Sequence, residues 1–447
     1  MSALAQYLQL AGKAVTGSDR AFDQGKNNDV KSQYLKMGMK IYPQNGSGIT
    51  PDTSCLIYST AIENSNPELQ KAKALNIPTL HRSDLLAQLT TEKKSIAVSG
   101  TSGKSTVTAM IYQLLESAQM EPSILTGANL LSLEKMGLPG NAVFGKGDWL
   151  VFEADESDGS LVKYSPEIGL ILNIEKDHKE ISELIPLFTK FGTQIKETLI
   201  LNVDDKESNR FHSSFSNIKT TFFSQNSFGE HVISELSEQG WASTFTIDDT
   251  SFTLNMPGKH NIANAMASLQ VAQQLGVSLS DCAHGLSTFT GIDRRHIFIG
   301  KKRDITVIDD FAHNPAKVQA CIRTVKHAAA SGIKGAKVIA IFHPHGFAPM
   351  KLLRKEFVEA FTQCLDERDI LLMPEIYYAG GTADKSISSQ DILSDINSIK
   401  KIGHYFTDKD SLLKAIPGFC SAGDIIVSMG ARDPSLSEFA QKALSSL

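Results

Sequence analysis

Short apolar runs, each followed by a polar turn and an amphipathic stretch, recur along most of this chain. "IAV" (96–98) precedes the turn "SGTSGKST", and "STVTAMIYQLLESA" then sets Val107, Met110, Ile111, Leu114, Leu115 and Ala118 on one helical face. Runs at "WLVFEAD" (149–155), "IGLILNI" (168–174) and "TLILNV" (198–203) predict further buried strands. Continuous apolar strands between helices predict a mostly parallel sheet covered on both faces. The last third repeats the plan, with strands at "ITVIDDF" (305–311), "KVIAIFHP" (337–344), "DILLMPEI" (369–376) and "DIIVSMG" (424–430). Helical stretches near 315–330, 350–365 and 388–397 alternate with them, which predicts a Rossmann-like α/β domain. In the first 90 or so residues, "AVTG" and "CLIYST" alternate with helical stretches such as 67–75, a small α/β unit. The polar "AQLTTEKKS" (87–95) reads as a linker. The reading is an α/β protein of three domains, with boundaries at 1–92, 93–294 and 295–447.

Length supports that division, since 447 residues exceed what one core organises and argue for about three domains. The formal charge of −5 gives no electrostatic case for nucleic acid or an anionic membrane, and neither is expected as a partner. Five cysteines at 55, 282, 321, 364 and 420 show no C-x-x-C spacing, which predicts reduced thiols. "MSALAQYLQLAGKAV" lacks a secretory signal's basic start, and "IGLILNI" is too short to span a bilayer. An intracellular, soluble protein is expected.

Candidate chemistry sits at the turns. Gly100–Ser105 follows a buried strand and opens a helix, so backbone N–H groups and the helix N-terminus would face an anion. Lys104 would then neutralise nucleotide phosphates, and the Ser105 hydroxyl would serve Mg²⁺. The full phosphate-loop pattern has a glycine where this chain has Val98, so a plain Gly/Ser turn with a solvated lysine is the competing reading. "FEADESD" (152–158) brings carboxylates to a strand end, either as a Mg²⁺ site through Glu153 or as a solvated acidic turn. His178 in "NIEKDH" reads as a metal ligand, a phosphate contact or a turn residue. "GKHNIANAMAS" (258–268), "GIDRRH" (291–296) and "IDDFAHNP" (308–315) are, taken singly, ordinary caps and turns.

Taken in order, these six segments resemble the Mur ligase family, ATP-dependent amide-forming enzymes of peptidoglycan synthesis. The matching residues are Gly100–Ser105, Glu153–Asp158, Asn173–His178, His260–Asn264, Arg294–Arg295 and Asp309–His313, spread over nearly the whole chain. "EADESD", with "VTGSD" (15–19) and "YSTAI" (58–62), is most similar to the branch acting on UDP-N-acetylmuramate. The shortened loop is that family's own form, so Val98 is no defect.

The resemblance implies that Gly100, Thr101, Ser102, Gly103, Lys104, Ser105 and Thr106 hold ATP phosphates. It places Ser105 and Glu153 on a first Mg²⁺ and His178 at a second metal site. Asn264 would contact the adenine side, while Arg295 and Asp310 reach the nucleotide with His313 close by. Lys104, His178 and Arg295 carry the catalytic roles, and Ser18, Asp19, Ser59, Thr60 and His345 face substrates. The implied reaction activates a muramate carboxylate as an acyl phosphate, which an amino acid (L-alanine first) or a short peptide then attacks. An N-terminal acceptor domain, a central ATPase domain and a C-terminal amine domain follow, in a monomer or weak homodimer of a bacterial cytoplasm.

Two departures stand out. Relatives begin with a strand and a glycine-rich turn, whereas this chain opens at "MSALAQYL", so the first domain is expected to lack its first strand. Where the family reads P-H-R-Y-x-R, "FHPHGFAPMKLL" (342–353) keeps Pro344 and His345 but has Gly346 and Pro349 in place of two arginines. With the glycine-rich "YYAGGT" (377–382), this points to a neutral loop variant or an altered amine substrate. Lys190 falls roughly where some members carry a carbamoylated lysine. Competing readings are a folylpolyglutamate-synthase-like ligase and a nucleotide-binding paralogue without ligase activity.

Overall fold

The computed structural model describes every residue except 177–178, 216, 331–334, 379–383, 432 and 434. The chain forms two compact units. The first holds residues 1–234, 246–253 and 262–292, and the second holds 235–245, 254–261 and 293–447.

In the first unit the chain begins with helix Ser2–Leu10, whose Leu4 and Tyr7 are buried. Two separate parallel strand pairs follow, Thr16–Gly17 with Lys40–Ile41 and Leu56–Tyr58 with Thr79–His81. The expected linker at 87–95 does not exist. Those residues complete helix Arg82–Glu92 and start strand Lys94–Ser99. Leu85 and Leu89 of that helix pack into the same core as Leu150 and Phe152, so its polar residues are the outer face of an amphipathic element.

The main sheet of this unit has nine strands. Six are parallel, in the order Lys219–Ser224, Thr198–Asn202, Ile168–Ile171, Lys94–Ser99, Trp149–Glu153, Ser123–Leu125. Antiparallel strands close both edges: Ser227–Phe228 and His231–Val232 on one side, Ala142–Val143 on the other. Ile96, Ala97 and Val98 are fully buried, as a strand covered on both faces requires. Helix Lys104–Ser117 buries Val107, Met110, Ile111, Leu114 and Leu115, the predicted face.

The second unit is organised by a six-stranded sheet, ordered Ile297–Lys302, Ile305–Asp310, Ile425–Gly430, Val338–His343, Ile370–Pro374, Gly403–Phe406. All neighbours are parallel except the first pair. Helices Pro315–Ala330, Arg354–Cys364 and Ser389–Ile399 bury apolar faces in one core, and Leu412, Phe439 and Ala443 fill another. The stretch read as one helix near 350–365 is two, Phe347–Leu352 and Arg354–Cys364. All five cysteines are free thiols. Among the described residues, no helix is long and apolar enough to cross a membrane.

Candidate functional site

Strand Lys94–Ser99 lies between Trp149–Glu153 and Ile168–Ile171, with Val98 opposite Glu153 and Ser99 opposite Ile171. The turns after these three strands therefore meet at one end of the sheet, where an open parallel sheet forms its ligand crevice. Gly100 has φ +134°, and a Cβ there would lie 3.0 Å from the Leu172 Cβ. Gly103 has φ +87°, and a Cβ there would lie 2.8 Å from Asn264 Oδ1. Both positions need glycine, and Asn264 lies against Gly103 of the loop.

Asn173 fastens this loop. Its Oδ1 accepts from Thr101 Oγ1 (2.9 Å) and Ser102 N (2.8 Å), while its Nδ2 donates to the Ser102 carbonyl (3.1 Å). The Asn173 carbonyl accepts from Thr101 N at 3.1 Å. Helix Lys104–Ser117 begins directly behind, with no side chain capping its N-terminus. Its first N–H groups are thus left without a side-chain cap; Ser105 is half-buried and Thr106 buried.

Lys104 Nζ donates to the Gly100 carbonyl (2.7 Å) and to Glu156 Oε2 (2.8 Å), with Asp155 at 3.8 Å. Burial alone would lower its pKa, but these carboxylates raise it, so it is a fixed cation. Burial raises the Glu156 carboxyl above its usual range despite Lys104. Glu153 accepts on Oε1 from Thr126 Oγ1 and from Gly127 N (2.7 Å). That leaves Oε2 for a hard cation, a ligand whose orientation is fixed from behind. His178, the other expected metal ligand, lies outside the described residues.

The second unit gathers the remaining motif residues at the ends of its strands. Arg294 Nε meets Asp309 Oδ2 at 3.0 Å, and its Nη2 reaches Asp309 Oδ1 (3.4 Å) and the Gly430 carbonyl (2.9 Å). Burial pushes the Asp309 carboxyl up to about 6, against the pull of Arg294. Asp310 Oδ1 accepts from Ala312 N (2.7 Å), and Oδ2 accepts from His296 N and the His296 imidazole, both at 2.9 Å. Burial would raise Asp310, but His296 and Arg295 hold it well below the usual carboxylate range. Through these bonds Asp310, a nucleotide contact in the family resemblance, also shapes the Arg295–His296 turn.

Arg295 lies over the Phe311 ring at 4.5 Å. His313 is tied to the Phe311 carbonyl (2.9 Å), and its ring stands 5.6 Å from His345. His345 bridges to Tyr377, and Gly346 N donates to the Tyr377 carbonyl (3.1 Å). Gly346 has φ +73° and ψ 119°, where a side chain is strained. The missing arginine is thus written into the backbone, and it is not a simple side-chain swap.

The N-terminal candidates follow strand ends. Ser18 Oγ donates to Glu68 at 2.6 Å, and Asp19 caps helix Arg20–Asp23 through Ala21 N. Ser59 is half-buried and Thr60 exposed after strand Leu56–Tyr58. Lys190 is exposed on helix Ile181–Gln194. Sequence reasoning missed the holding roles of Asn173, Glu156 and Arg294, although all three stood inside its motifs. Thr126 carried no signal.

A glycine-bounded phosphate loop at the crevice of a parallel sheet, with a lysine and an anchored carboxylate beside it, defines a nucleotide-phosphate-binding α/β protein. Family models match in series: "Mur ligase family, catalytic domain" over residues 1–94, "Mur ligase middle domain" over 98–272, and "Mur ligase, glutamate ligase domain" over 294–432. The chain belongs to the Mur ligase family. It is 30% identical to a UDP-N-acetylmuramate–L-alanine ligase of Bdellovibrio bacteriovorus, covering 97% of this chain and 94% of the relative. It is 34% identical to the ligase of that name from Clostridium novyi, covering 97% and 93%. The fold matches the UDP-N-acetylmuramate–alanine ligase structure from Thermotoga maritima with TM-score 0.80, 23% identity and coverage of 100% and 96%. A murein peptide ligase structure from Psychrobacter arcticus gives 0.68, 21%, 100% and 96%.

Proposed function

We propose that this chain is an ATP-dependent ligase that joins L-alanine to the lactyl carboxylate of UDP-N-acetylmuramate, releasing ADP and phosphate. The observation that carries this reading is the Gly100–Ser105 loop set against Lys104, Glu153 and Asn264 in a chain alike over 97% of its length to ligases of that name. ATP would enter with its phosphates on the loop amides and the helix N-terminus. Lys104 would leave Glu156 for the γ-phosphate and offset its repulsion with the incoming carboxylate. Ser105 and Glu153 would hold Mg²⁺, which supplies further charge neutralisation at the phosphates. Arg295, braced on Phe311, keeps its catalytic role in this reading, and the carboxylate would leave as an acyl phosphate for attack by the amine. The three-domain boundaries at 1–92, 93–294 and 295–447, the substrate roles of Ser18, Asp19, Ser59, Thr60 and His345, and a cytoplasmic location belong to the same reading.

The test is ADP release with product mass measured together. UDP-N-acetylmuramate, L-alanine and ATP should give equimolar ADP and a product heavier by one alanyl residue, with no ADP when either substrate is withheld. Replacing L-alanine by L-serine, glycine or the tripeptide reads the amine. Turnover only with a folate acceptor, or ATP binding with no turnover across the panel, would overturn the proposal.

A further inference from the structure

Behind the Arg295–His296 turn, three elements of the second unit bring a histidine, an aspartate and a cysteine together. His296 directly precedes strand Ile297–Lys302, Asp310 ends strand Ile305–Asp310, and Cys321 sits on helix Pro315–Ala330. One donor atom from each lies within 4.8 Å of the other two. Asp310 is 5% exposed, Cys321 1%, and the His296 side chain 6%. His296 Nε2 is buried without any hydrogen-bond partner, a costly state for an imidazole nitrogen. Next to it, with ring centres 5.3 Å apart, stands His260.

We propose that His296, Asp310 and Cys321 form a binding site for a borderline-soft divalent cation of the zinc class, separate from the Mg²⁺ site of Ser105 and Glu153. Nitrogen, carboxylate and thiolate together are the donor set that Zn²⁺ takes, whereas Mg²⁺ selects oxygen. Their origin on three different elements gives the site a fixed frame. Burial and the nearby Asp310 and Asp309 keep the Cys321 thiol protonated, and a bound cation reverses both influences. Binding releases the thiol proton to solvent and leaves the sulfur, one ring nitrogen of His296 and a carboxylate oxygen on the metal. Because His296 adjoins Arg295 in the chain, an ion here would pin the turn that carries the arginine.

The full chain, stripped with a chelator, is equilibrated with Zn²⁺, desalted and counted for metal; a second sample takes Co²⁺ for absorption spectroscopy. One Zn²⁺ per chain is expected, with a thiolate-to-cobalt charge-transfer band in the near ultraviolet. Cys321→Ser should remove the band and weaken Zn²⁺ binding at least tenfold, while Cys55→Ser, at an exposed thiol, leaves both intact. His296→Phe should weaken binding equally, and it keeps the test decisive if Cys321→Ser fails to fold. Absence of a stoichiometric ion, or an unchanged ion and band in folded Cys321→Ser or His296→Phe, would overturn the site.

Discussion

The acidic turns "EADESD" and "IDDF" both end buried parallel strands and read alike, yet they spend their carboxylates in opposite ways. In the first unit, Glu153 is gripped on one oxygen by Thr126 and Gly127 and keeps the other, and Glu156 is paired with a lysine that a phosphate can claim. In the second, Asp309 is locked to Arg294, and Asp310 serves Ala312 N, His296 N and the His296 ring. One motif keeps capacity for a ligand, while the other fixes a turn so that Arg295 can be presented. The donors around each strand end decide whether its acid keeps an oxygen for a phosphate-bound cation or shapes a turn.

The largest expected effect tests the first turn. Lys104→Ala should lower the rate of ADP formation by about 10²–10³-fold or more, beyond any destabilisation from leaving Glu156 unpaired, because it removes a cation needed chiefly by the transition state. If the variant keeps full synthesis, the loop has been misassigned. The second turn should answer in stability instead. Arg294→Ala leaves a buried Asp309 without its partner and should cost about 3–5 kcal/mol in urea unfolding. Losing activity with no loss of stability would erase the contrast between the two turns.

Thr126→Val removes the hydroxyl behind Glu153, and should weaken the Mg²⁺ dependence of the reaction by about 10–100-fold while kcat at saturating metal holds. Asp309 supplies a pH test with a definite sign. Its folded pKa of about 6 lies above the ordinary 3.8, so the folded chain binds more protons across that window. Its contribution to stability is present below about pH 4 and is lost as pH rises through about 6. The urea midpoint of wild type relative to Asp309→Asn should fall over that interval and flatten above it. The smallest effect concerns the departed arginine. Gly346→Arg should destabilise by about 1–3 kcal/mol through its backbone without improving use of the amine.

The parallel strands, the amphipathic helix after the loop and the order of six motifs were legible in the chain because each is a local pattern of spacing or polarity. Residues 87–95 misled for the same reason, since a polar helical face and a linker share a composition, and only the burial of Leu85 and Leu89 separates them. Gly346 and Pro349 were legible as departures but not as backbone, because φ is not written in a residue's name. Thr126 left no trace, since its value to Glu153 arises from two strands pairing.

Contiguous segments were enough to read the α/β class, the family and the phosphate loop with Lys104. The folded arrangement settles which carboxylates are available, that Asn173 fastens the loop with Asn264 against Gly103, and that His296, Asp310 and Cys321 meet. Such assignments depend on which side chains face one another across neighbouring strands and helices, a relation that separation along the chain does not encode.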